Sequence, residues 1–220
     1  MNNPRNDNIV SYLTLRQMIG WIGFFLPITV RLGAYLFEGI SSTESISAYY
    51  YTGMRDIFVS TLVLVGTLLM CYRTPALHDN LVAIVCGIAA IGVGLFPMDP
   101  AWAAEIAKRF PDVAGQKCYF GHGFLGYHFI FVGIFFGLSF YLVYFRFSAL
   151  TPANPTRQKL ARNKIYKLCG IAMLVSFLCI AYLAASYRGA SIFWPEAVAV
   201  VAFATAWLVK GQTILKDSVA

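Results

Sequence analysis

The chain has 220 residues, 59% of them apolar and 12% charged, with 17 Lys+Arg against 10 Asp+Glu and a mean hydropathy of +0.66. A soluble domain needs roughly a quarter of its surface charged, so this composition excludes one and places the chain in a bilayer. The net charge of +7 sits in connections between apolar stretches, a membrane-surface signature that excludes nucleic-acid binding.

The predicted fold class is all-α. A hydrocarbon core of about 30 Å takes about 20 apolar residues per helix, and six such stretches follow one another with short connections. They define an integral membrane bundle of six transmembrane helices over residues 17–210, between a polar tail at 1–16 and a second tail at 211–220, with no separate soluble domain.

Residues Met1 to Thr14 are polar and Asn-rich, and only the last of them are expected to be ordered. The first span runs from Gln17 to Phe37, longer than the roughly 7–15 apolar residues of a signal peptide, so it is read as retained. Pro27 removes a backbone donor, which predicts a kink. Arg31 lies past the midpoint, where an arginine costs at least about 2.5 kcal/mol unless it pairs or snorkels. A carboxylate partner is therefore expected, with Asp56 ahead of Asp99 and Glu38.

A Ser/Thr-rich loop leads to Tyr49, Tyr50 and Tyr51, whose half-polar rings suit the headgroup region. The second span covers Thr52 to Tyr72. Thr52 or Gly53 can cap it, which puts Arg55 and Asp56 in its first turn. After an exposed turn, RTPALHDN, the third span runs from Leu81 to Pro97, with Ala90 and Gly94 as a small packing face.

The connection Met98 to Tyr119 carries AAEIAKRFPD, whose apolar spacing predicts a short interfacial helix. The fourth span, Phe120 to Phe145, holds His122 and His128 and a Gly133-x-x-x-Gly137 pair through which a homo-oligomer could pack. Arg146 to Lys167 is basic without an acid and reads as a cytoplasmic connection. The fifth span runs from Leu168 to Tyr187, a turn falls at Arg188-Gly189, and Trp194-Pro195-Glu196 opens a sixth span ending near Trp207 and Lys210.

Orientation follows from the basic residues. With both termini inside, Arg5, Arg16, Arg73, Lys210, Lys216 and the whole 146–167 cluster are cytoplasmic, and only Arg55, Lys108, Arg109, Lys117 and Arg188 lie outside. That is the positive-inside pattern, and it assigns the chain to a cytoplasmic membrane. Of the five cysteines, Cys118 alone reaches the outer loops, so they are read as packing residues.

The unusual polar residues collect at the outer ends of the spans. Arg31, Glu38, Tyr49, Tyr50, Arg55, Asp56, Asp99, His122, His128, Tyr187, Arg188 and Glu196 are the candidate ligand or cavity residues, since ionisable groups at membrane depth face a bundle interior or a wet cavity. The bland reading stands beside it: Asp56 and Glu196 in first turns and Arg188 at a helix end are favoured by the helix dipole at about 0.3–1 kcal/mol each. His122 and His128 lie six positions apart, roughly 120° around a helix, too divergent to share one metal. No metal and no cofactor are assigned.

The run SISAYYYTGMRDIFVSTLVLVGTLLMCYR resembles an uncharacterised family of bacterial six-span membrane proteins, a domain of unknown function. That resemblance implies a helical bundle in the bacterial inner membrane and supplies no activity. A looser similarity, to alkaline-ceramidase-like and adiponectin-receptor-like hydrolases that bind zinc through Ser, Asp and three His, is limited to Asp56 and the rim histidines, without a His-x-x-x-His.

Three functions are expected from these features. The first is binding or moving a lipid or small amphiphile in an outward-facing polar cavity. The second is a membrane-embedded hydrolase using Asp56 with His122 or His128. The third is a structural subunit, for which the lipid bilayer is the only partner needed.

Overall fold

The computed structural model describes residues 4–99, 108, 126–149, 155–186 and 191–216, with the backbone alone for 4–11. Among these residues there are six helices and no strand. We number them α1 (Pro4–Glu38), α2 (Arg55–Cys71), α3 (Leu77–Leu95), α4 (Tyr127–Ala149), α5 (Arg157–Ser186) and α6 (Phe193–Lys210).

Five helices, all but α2, are long and apolar enough to cross a membrane. α2 has 17 residues, about 26 Å at 1.5 Å per residue. Consecutive helices pack side by side, and α6 closes the ring against α1.

Within lipid no hydrophobic force drives helix against helix, so close approach of backbones and hydrogen bonds must do so. The tightest approach joins α2 to α3, where a Cβ on Gly66 would stand 2.5 Å from the Gly87 carbonyl oxygen. Only glycine fits there. Gly94 of the predicted small face packs closely on α2, since a Cβ there would stand 3.2 Å from that of Leu62.

One core cluster, built on Leu69, Tyr72, Cys86, Phe135, Phe147 and Trp207, fills the ring. A second, at one end, mixes Leu26, Val30 and Phe58 with Ile40, Ile46, Tyr49 and Met54 from the 39–54 connection. Outward, Phe25, Phe37, Leu168, Val175 and Tyr182 are exposed, as a lipid-facing belt requires.

Several boundaries differ from those expected of the sequence. α1 continues back to Pro4, a residue tolerated in a first helical turn because its missing donor would be unpaired anyway. Pro27, where a kink is expected, lies inside α1. α3 begins at Leu77, so Asp79 is a buried first-turn residue instead of part of an exposed turn.

The basic cluster 157–167 is not a loop but the first turns of α5; long basic side chains lose little rotamer freedom in a helix. In α4, a π-helical turn at Leu142–Arg146 rotates the last residues of the helix relative to an unbroken α-helix. The expected interfacial helix in 98–119 falls almost wholly outside the described residues.

Candidate functional site

The ring has two unlike ends. One carries the 39–54 connection and is called the loop end; the other carries Arg16, Asp79, Arg146, Arg162 and Lys210 and is called the basic end.

At the loop end α1 stops at Gly39, whose φ of 65° is the left-handed conformation that glycine adopts without steric cost. Ile40 N–H then reaches back to the Ala34 carbonyl at 3.1 Å, which reverses the chain. The returning segment forms a short 3-10 helix at Ser47–Tyr51 and crosses the bundle with its polar groups turned inward.

Glu196, in the first turn of α6 and buried, accepts from Ser45 Oγ at 2.9 Å and from Ile46 N–H at 2.6 Å. Ser45 Oγ also accepts Ser47 N–H at 2.9 Å. Ile192 N–H donates to the Glu44 carbonyl at 2.6 Å, a second tie between the loop and α6.

His128, in the first turn of α4 and buried, places Nδ1 2.7 Å from the Phe96 carbonyl and Nε2 3.1 Å from Ser47 Oγ. A carbonyl only accepts, so Nδ1 carries the proton and Ser47 donates its hydroxyl hydrogen to Nε2. Tyr51 OH donates to the Met98 carbonyl, and Gly53 N–H to Glu38. Each anchor joins the connection to a different helix or its end: α1, α3, α4 and α6.

A serine hydroxyl donating to a neutral imidazole is also the arrangement that activates a nucleophile. That chemistry needs spare N–H donors for an oxyanion. The nearby amides are committed: Ile46 to Glu196, Ser47 to Ser45 Oγ, Ala48 to the Ser45 carbonyl and Tyr49 to the Ile46 carbonyl. Among the described residues the cluster is therefore a clasp that ties the 39–54 connection to the helix ends.

The remaining predicted residues take other places. Tyr49 is fully buried, edge-on to Phe193, and burial pushes its phenol above the ordinary range, opposed by Thr43 and Arg31. Tyr50 accepts from Arg55 Nη2 at 2.6 Å and stacks under the same guanidinium.

Arg31 has no carboxylate within salt-bridge distance among the described residues. Its guanidinium lies 5.0 Å from the Phe193 ring centre and 5.2 Å from that of Trp194, so ring faces take the role expected of Asp56. Asp99 is half-buried beyond the end of α3. His122, Tyr187 and Arg188 lie outside the described residues.

Asp56 is in the first turn of α2, as expected, but on its exposed face. With Ile57, Ser60, Thr61 and Leu64 of α2 and Ile22 of α1 it lines an open groove of about 360 Å³. His128 and Glu196 are not among its lining residues. Among the described residues no three His, Cys, Asp or Glu side chains gather as a metal ligand set.

Two groups of participants could not be picked out from the sequence. Ser45 and Ser47 are visible as alternating serines before the tyrosine run, but hydroxyls in a loop carry no signal of their partners. Asp79 is visible as one of three acids on the basic side, with Asp7 and Asp217; Arg146 Nε donates to it at 2.5 Å.

Ring and clasp together define a helical membrane protein whose 39–54 connection is tied across the helix ends. No protein-family model, curated protein or solved structure matches this chain.

Proposed function

We propose that this chain is a multi-pass protein of the bacterial cytoplasmic membrane that binds a lipid or small amphiphile in the lateral groove beside Asp56. All six helices span, and both termini face the cytoplasm. The distribution of basic residues supports that orientation.

The observation that carries the reading is the composition of the groove. Its surface is almost wholly apolar, with Ile22, Ile57 and Leu64 among the walls, and Asp56, Ser60 and Thr61 are the polar residues that border it. Asp56 and Ser60 are four residues apart and share one face of α2, with Asp56 at the end where headgroups lie. An apolar tail fits those walls, and a hydrogen-bond-donating or cationic head meets Asp56 at their border.

Because Glu196 and His128 are engaged by the loop while Asp56 is exposed, the reading places binding in this lateral groove instead of an axial funnel. On α4 a Cβ added at Gly133 or Gly137 would meet nothing within 4 Å among the described residues, which leaves that face open to lipid or to a second copy.

The test is the lipid complement of purified protein, identified by mass spectrometry, for wild type and Asp56→Asn. A discrete amphiphile retained by wild type and reduced about tenfold in the variant is expected, since a charged hydrogen bond contributes roughly 1.5–3 kcal/mol. Equal retention by both proteins overturns the reading.

A further inference from the structure

The basic end is assembled around three aromatic rings. Trp207 of α6 lies edge-on to Tyr72 and to Phe147, at centroid distances of 4.9 and 5.1 Å. The Arg16 guanidinium sits 5.5 Å above the Tyr72 ring, and the Lys210 ammonium 4.9 Å above that of Phe147. Two cations from α1 and α6 thus bracket one aromatic platform.

Among the described residues no carboxylate is within salt-bridge distance of either cation. Asp79, the one carboxylate described at this end, is engaged by Arg146 at 2.5 Å. Arg16 Nε is buried without a hydrogen-bond acceptor, and Lys210 Nζ has only the Phe147 carbonyl at 3.5 Å. Arg16, Lys159 and Arg162 oppose the charge on Lys210 and Asp79 favours it, so cations outnumber the one described carboxylate around it. Trp207 is wholly buried, and its indole N–H also lacks an acceptor.

The backbone at this end is shaped as well. After α6 the chain turns through left-handed Gln212 and Leu215, with φ of 56° and 58°. Gln17 Nε2 of α1 donates to the Gly211 carbonyl at 2.8 Å, and Arg162 of α5 donates to that of Leu215 at 3.3 Å. The tail so ties α1 and α5 beside the two cations. Next to them the lipid-facing surface begins, with Met18 of α1 and Leu160 and Leu168 of α5 exposed.

We propose that this end binds the phosphate of an anionic phospholipid between Arg16 and Lys210, with the acyl chains along the exposed apolar faces of α1 and α5. The field is cationic with unused donors, which selects an anion. Its place at the border of the apolar belt, where bilayer phosphates lie, selects a lipid over a soluble anion. Arg16 and Lys210 hold the phosphate, and Lys159 and Arg162 add attraction without contact. The site is separate from the Asp56 groove and does not depend on it.

The experiment is native mass spectrometry of the full chain with equimolar phosphatidylglycerol and phosphatidylcholine of identical acyl chains. Each basic side chain near an anionic surface contributes about fivefold in affinity, so the Arg16→Gln/Lys210→Gln double variant should lose phosphatidylglycerol adducts by about twenty-five-fold. Lys164→Gln/Lys167→Gln, which removes the same charge from exposed positions of α5, should keep them, and Lys210→Arg should bind as wild type.

Monodisperse elution and an unchanged helical circular dichroism spectrum qualify the variants; if the double variant fails them, each single variant should show about a fivefold loss. Equal adducts for the two lipids, equal losses in both double variants, or displacement of the lipid by millimolar inorganic phosphate would each overturn the proposal. Asp56→Asn leaves these adducts unchanged if the two sites are distinct.

Discussion

The two ends of the ring solve opposite problems. At the loop end an acid, an imidazole and two serines are brought together and every one is satisfied: Glu196 by Ser45 and Ile46, His128 by Ser47 and Phe96. At the basic end Arg16 and Lys210 rest on aromatic faces, and Arg16 Nε and Trp207 Nε1 stay buried without acceptors. The loop end keeps one such group too, the Tyr49 hydroxyl, so what separates the ends is sign: acid and imidazole held by hydrogen bonds at one, unpaired cationic donors at the other. In a low dielectric both features are expensive to disturb, but only the second invites something in.

The sharpest way to break this contrast is Glu196→Leu. It leaves the Ser45 hydroxyl and the Ile46 amide without acceptors inside the protein, at about 1–3 kcal/mol for each buried group. The expected loss is about 2–4 kcal/mol in a reversible unfolding titration in detergent, together with faster hydrogen exchange across 43–51. Unchanged stability and exchange would show that the clasp does not hold the loop end.

A smaller effect is expected at the basic end. Asp79→Asn keeps the shape but removes the charge that Arg146 engages, and the two side chains are 10% and 31% exposed. Loss of a charge-assisted hydrogen bond of this kind costs about 1.5–3 kcal/mol, lowered toward about 1 kcal/mol by the partial exposure of Arg146. The same unfolding titration measures it, and a loss as large as that of Glu196→Leu would erase the difference between the ends.

The smallest effect is assigned to Arg31→Met. Its guanidinium loses two ring faces and no carboxylate, so the cost is about 0.5–1 kcal/mol. A loss above about 3 kcal/mol would reveal an ion partner.

How far the sequence could be read depends on the range of the interaction. Local and compositional features were legible: the helical class, the apolar stretches, Asp56 in a first turn, Trp194-Pro195-Glu196 as the start of α6. Helix starts in polar sequence were less so, because α5 continues through five basic residues that a hydropathy argument assigns to a connection. Glu196 and His128 were visible as unusual residues at one end, but their partners are 150 and 81 positions away.

The amino-acid sequence by itself determined that this chain is helical and membrane-embedded, since apolar length and the spacing of charges are properties of consecutive residues. It also drew attention to the 45–56 stretch. Only the tertiary structure decided that Asp56 faces outward into a groove while Glu196 and His128 face inward into a clasp. It also decided that Arg31 rests on aromatic rings and that Asp79 is buried against Arg146. The physical reason is that a helical residue's face is set by its phase against neighbouring helices. That phase follows from contacts such as Gly66 on Gly87, which join positions no local pattern connects.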